Sequence, residues 1–86
     1  MVESVMRCIE AQANEMFRGG IQAVSYDAER DEVVVKLSES IVGIADNLVK
    51  NMFTSAVKRF VENHFPFLRA DTENNSELLF KKAQWV

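Results

Sequence analysis

Few side chains in this sequence could do chemistry. His64 is the only histidine, and it sits in the stretch Asn63-His64-Phe65-Pro66-Phe67 beside the only proline. As a general base, or as a metal ligand with Asp46 or Glu62, it would need a nucleophile, an orienting carboxylate and a pocket. The nucleophile would have to be Cys8 or one of several serines, and no local spacing points at any of them. In the last turn of a helix, by contrast, an imidazole favours the negative end of the helix dipole, and a proline two residues on forbids continuation. The stretch therefore reads as a stop signal.

Cys8 is the only cysteine. An intramolecular disulfide and a multi-cysteine metal site are both excluded, and a single thiol fits a reducing compartment. It falls roughly 240° around a helix from Val2, on the polar side. Arg7 is adjacent in sequence, but neighbours on a helix do not share a face, and a reactive thiol needs a cationic partner on its own face.

Gly19-Gly20 matches no phosphate-loop pattern, and it follows a helix where an anion site would precede one. Asp27, Glu29, Asp31 and Glu32 crowd one turn, yet the glycine and distal glutamate of a calcium loop are missing. Residues 44–63 place Ala45, Val57 and Arg59 roughly where a helix-turn-helix has small, apolar and basic residues, but the turn glycine is absent.

The elements that must position these residues are legible from periodicity. Val2, Val5, Met6, Ile9, Ala13, Met16 and Phe17 follow the i, i+3, i+4, i+7 rule and predict an amphipathic helix over residues 2–18, ended by Gly19-Gly20. Residues 21–27 and 32–38 are rich in β-formers around the polar connector Ala28-Glu29-Arg30-Asp31, which predicts a hairpin with Val33, Val35 and Leu37 on one face. A second helix follows, capped by Ser38 or Ser40. Its stripe comprises Ile41, Ala45, Leu48, Val49, Met52, Phe53, Ala56, Phe60 and Val61, and is wider than one sheet face needs. Run continuously from 41 to 64 it would be about 36 Å long, so a bend near Asn51 or a second packing partner is expected. Residues 67–77 read as a polar loop centred on Asn74-Asn75, and 78–86 as a C-terminal strand or arm.

The chain has 86 residues, enough for one domain, 1–86, and no second core. The fold class expected is α+β in the order α-β-β-α-β: an antiparallel hairpin plus a third strand, with two helices packed on one face. Thirteen acids against ten bases give a net charge of −3, and no Lys/Arg stripe appears, so nucleic acid is not the expected partner. At 48% hydrophobic the chain is too apolar for disorder. No run of about eighteen apolar residues could span a membrane, and the N-terminal dozen residues carry acids unlike a signal peptide. A cytoplasmic location is expected.

Taken together, the stretches 2–9, Gly19-Gly20, 24–37 and 56–66 resemble the C-terminal domain of NifU-type iron–sulfur scaffold proteins, over about residues 2–68. The resemblance implies the α-β-β-α-β order. In that family a Cys-x-x-Cys pair after the second strand carries the cluster, whereas Leu37 here is followed by Ser38-Glu39-Ser40-Ile41 and no cysteine. No ligand carries over, and no cofactor or metal is expected.

The aromatic residues remain. Most must be core, but so short a chain cannot bury them all, and Trp85, Phe67 and Phe53 are the candidates for contact with a partner. With the excess apolar surface of the second helix, they make a non-catalytic protein–protein interaction module the expected function, either a homodimer or a subunit of an assembly. A degenerate cofactor-carrying scaffold using Cys8 from two subunits and a weak nucleic-acid-binding domain are the alternatives.

Overall fold

The computed structural model describes residues 2–43, 47–74 and 76–82. Helix α1 (Val2–Met16) leads into strands β1 (Ile21–Asp27) and β2 (Glu32–Leu37). The short helix α2 (Glu39–Val42) and the long helix α3 (Asn47–His64) follow, and β3 (Leu68–Glu73) and β4 (Glu77–Lys82) complete the fold. The strands form one antiparallel sheet in the order β1-β2-β4-β3. The α+β class and the two helices packed on the sheet are as expected. The Cα radius of gyration is 12.3 Å, close to the ~12 Å of a compact chain of this length.

Why these segments take these forms is local at first. α1 buries Val5, Ile9 and Ala13, spaced at i, i+4, i+8, and leaves Met6 only half-buried. Its last backbone bond runs from Phe17 N–H to the Ala13 carbonyl at 3.0 Å, and the chain then reverses through Gly19 at φ +74°, a conformation costly for a residue with a Cβ. β2 alternates toward its end: Val33, Val35 and Leu37 are buried and Lys36 is exposed, while on the other face Glu32 is buried and Val34 half-buried. Their β4 partners Leu78 and Phe80 are buried beside them. Phe53, Val57 and Val61 of α3, one turn apart, close the core together with Ile41 and Leu68.

Three expectations change. The region 67–77 is not one loop, because residues 68–73 form β3, pairing Leu68 with Lys82, Arg69 with Lys81 and Ala70 with Phe80. Leu-Arg-Ala-Asp-Thr-Glu has weak strand propensity; pairing with β4 and the burial of Leu68 outweigh it. The loop shrinks to a turn in which the Asn74 side-chain oxygen accepts from the Ser76 N–H at 2.9 Å and Asn74 N–H donates to the Glu77 carbonyl at 3.1 Å. The sheet accordingly has four strands where three were expected.

The helical region, secondly, has no break at Asn51, which lies inside α3. The interruption comes earlier. α2 starts after Ser38, whose extended backbone (φ −76°, ψ 162°) makes it the N-cap, and stops at Val42, where Gly43 N–H donates to the Glu39 carbonyl at 2.8 Å. Glycine costs about 1 kcal/mol inside a helix relative to alanine.

Thirdly, the α3 stripe is set by Phe53, Val57 and Val61. Leu48, Val49 and Met52, expected within it, are exposed, and Ala45 lies outside the described residues.

Candidate interaction surfaces

The neighbourhood of His64 is a corner between α3 and β3 built from rings. Helix periodicity puts His64 one turn beyond Phe60; its imidazole lies over the Phe60 ring with centroids 4.1 Å apart and 32° between planes. Its Nδ1 lies 3.3 Å from the Phe60 carbonyl, to which it donates. Phe65 meets Phe60 edge-on at 6.4 Å and Phe67 at 5.9 Å. The Phe65 N–H bonds the Val61 carbonyl at 2.8 Å and Leu68 N–H bonds Phe65 at 2.8 Å, so the chain leaves the helix, turns through Pro66 and enters β3 without a loose end. His64 thus occupies the last helical turn, with its ring engaged by its own helix.

Beside this corner, the Glu62 carboxylate accepts the Ala70 N–H at 3.0 Å. A side chain of α3 thereby takes up a backbone donor of the edge strand β3.

The residues expected to meet a partner separate in the structure. Phe53 is only 6% exposed, packs edge-on against Phe17 with centroids 5.8 Å apart, and belongs to the core. Helical spacing alone could not tell it from its exposed neighbours, because the stripe of the second helix is wide enough to include both Met52 and Phe53, although they lie about 100° apart around the axis. Phe67 is half-buried at the aromatic corner. Trp85 lies outside the described residues.

Sequence reasoning had placed Leu48, Val49 and Met52 in the core stripe without singling them out as a surface. Leu48 is 68% exposed, Met52 65% and Val49 40%. Leu48 and Met52 are one turn apart and share a face. The signal that could have found them was the excess width of the stripe itself.

The polar groups stay scattered. Cys8 is exposed on α1. After Leu37, the Ser38 and Ser40 hydroxyls are 2.7 Å apart and the Ser40 hydroxyl donates to the Gly19 carbonyl at 3.2 Å, which ties α2 to the end of α1. In the β1–β2 turn the Asp27 carboxylate accepts the Glu29 and Arg30 N–H groups at 3.1 and 3.3 Å, and the Tyr26 hydroxyl donates to Asp31. Among the described residues, no group of three or more His, Cys, Asp and Glu side chains could hold a metal ion, and no helix is long and apolar enough to cross a membrane. Comparison with family models, curated proteins and solved structures finds no match for this chain.

Proposed function

We propose that this protein is a non-catalytic protein–protein interaction module, associating with itself or forming a subunit of a larger assembly. The observation that carries the reading is the exposed apolar row Leu48, Val49 and Met52 on the first turns of α3. Single exposed apolar residues are ordinary; adjacent large ones on one helix mark a contact surface more often. Burial of such side chains against a partner stabilises by about 25 cal/mol per Å² of apolar area removed from water.

Native mass spectrometry of the untagged protein isolated from its own host tests the reading. A homo-oligomer, or a stoichiometric complex with an identified protein, is the expected result, together with weaker association when Leu48→Lys and Met52→Lys are introduced jointly. Both side chains are already in solvent, so the circular dichroism of the double variant should match the parent. A bare monomer whose melting temperature is independent of protein concentration would overturn the proposal.

A further inference from the structure

The sheet has two edges, and they are finished differently. β3 carries Arg69, Asp71 and Glu73, its register with β4 breaks between Ala70 and Glu73, and its Ala70 N–H is held by Glu62. Charge, irregular pairing and coverage of backbone groups are the devices by which edge strands avoid further pairing. β1 lacks them. From Ile21 to Tyr26 it has no charged residue, no proline and no glycine. Its one irregularity falls between Ile21 and Ala23, which leaves Ala23–Asp27 in regular register with β2. Outside the ladders, the backbone bonds near β1 among the described residues are at its start, from Gly20 N–H to Phe17 and from Ser38 N–H to Gly20.

We propose that a second copy of this chain adds its own β1 to this open edge, antiparallel about a two-fold axis at Ser25, so that two four-stranded sheets become one continuous sheet. The inference rests on the self-association arm of the proposed function and goes beyond it by naming the surface. The occupant follows from self-complementarity. About Ser25, Val24 stands opposite the partner's Tyr26 on the helix-bearing face, an aromatic and a β-branched side chain that pair well across strands. Val24 is half-buried and Tyr26 is 38% exposed, so both have surface left to cover. The bond from the Tyr26 hydroxyl to Asp31 already orients the ring.

Charge selects the direction. Antiparallel pairing sets Asp27 opposite the partner's Ala23 and brings the acidic turn, with Asp27, Glu29 and Asp31, toward the end where the partner's Arg18 precedes its β1. In-register parallel pairing would set Asp27 against Asp27. An unrelated extended peptide would gain the backbone bonds but not these matched ends. The two-fold axis stands perpendicular to the sheet, so the helices of both copies lie on the same side and the contact is isologous.

Sedimentation velocity across a concentration series, with hydrogen–deuterium exchange on the same samples, decides the matter. The parent chain should dimerise as concentration rises, with protection growing at the amides of residues 23–27. Ser25→Lys puts two like charges opposite each other at an exposed position. It should weaken the dimer about tenfold or more and leave the circular dichroism unchanged, while in the Leu48→Lys, Met52→Lys variant the protection at residues 23–27 should persist even where overall association weakens. A dimer that persists in Ser25→Lys, or protection that grows on α3 and not on β1, overturns the edge pairing but leaves the interaction module standing. A parent chain that stays monomeric throughout overturns the edge pairing as well. Should Ser25→Lys disturb the fold, the exchange pattern of the parent alone carries the decision.

Discussion

The first hairpin and the second are built alike on the inside and differently on the outside. β2 and β4 lie side by side at the centre of the sheet and supply Val33, Val35, Leu37, Leu78 and Phe80 to one buried face. Their outer partners share no such likeness. β1 is uncharged up to Asp27 and exposes Ala23, Ser25 and Tyr26; β3 alternates charge with small or apolar residues and is tied to α3 through Glu62. The inner strands hold the fold together, and the outer strands determine what else can join the sheet. Substitutions in the two places should therefore differ in kind: inner changes in stability, outer changes in association.

The largest effect is expected at the shared centre. Val35 is fully buried, with Val24 and Leu78 as its cross-strand neighbours. Val35→Asp would leave an unpaired charge there, costing about 4 kcal/mol or more, against a total of about 5 to 15 kcal/mol for a domain. Loss of the folded far-ultraviolet circular dichroism at room temperature is the expected outcome. Met6→Asp, which sequence periodicity places in the same core, should be milder because Met6 is only half-buried. If the two variants melted at the same temperature, burial would not be what distinguishes them.

Next comes the junction that delivers the chain into β1. Gly20 is buried, and a Cβ there would come within 2.9 Å of the Phe53 ring and 3.0 Å of the Phe17 carbonyl. Gly20→Ala should cost about 1 to 3 kcal/mol through overpacking, read as a lower denaturant midpoint with an unchanged slope. Phe53→Leu in the same background relieves the contact and should recover part of the loss. No recovery would mean that the carbonyl contact dominates.

At the β3 edge the expected effect is smaller and mostly external. Glu62→Ala frees the Ala70 N–H, at a cost of about 1 kcal/mol for the lost hydrogen bond. The same change removes one of the three protections of that edge, so exchange at Ala70 should quicken. Arg69 and Asp71 still guard the strand, and self-association should rise only slightly, if the comparison between the edges holds. A strong rise would mean that Glu62 alone was the protection.

The unequal legibility of the two hairpins has a physical reason. Residues 21–37 announce themselves because Val33, Val35 and Leu37 alternate with outward residues across a polar connector, and that pattern is local. Residues 68–73 have no such pattern; what makes them a strand is the neighbouring β4, whose Phe80 and Lys81 stand opposite Ala70 and Arg69. α3 shows the same limit in another form. Its periodicity correctly marks a helix, but the arc it offers includes Leu48, Val49 and Met52, and only the position of the sheet decides that Val57 goes inside while they stay out. His64 was legible throughout, since a histidine before Phe-Pro at the end of an amphipathic run needs only helix geometry to explain it. The β1 edge was not singled out in the sequence; the uncharged run from Ile21 to Tyr26 becomes a candidate surface only once the strand order puts β1 outermost.

The finest probe of that edge is Tyr26, the only tyrosine in the chain. Its pKa is raised above the ordinary 10.0, first by the hydrogen bond to Asp31, then by desolvation and the nearby Asp31 and Asp27 charges, all of which disfavour the phenolate. Because the folded-state value lies above the unfolded one, the stabilisation from the neutral phenol is complete below pH 10 and is lost as pH rises through the raised value. Titration by phenolate absorbance should give one transition above 10.0, with no second tyrosine to obscure it. Asp31→Asn keeps an oxygen that can accept the bond and suits the positive φ of 54° at that position, but removes the charge. Its midpoint should move part of the way back toward 10.0, and an unchanged midpoint would mean that the hydrogen bond, and not the Asp31 charge, holds the shift. If β1 pairs with a second β1, Tyr26 loses water to the partner's Val24, and the parent midpoint should climb further with protein concentration. The Ser25→Lys variant should show no such climb, so a single chromophore separates the environment that the β1–β2 turn creates from the one that a second strand would add.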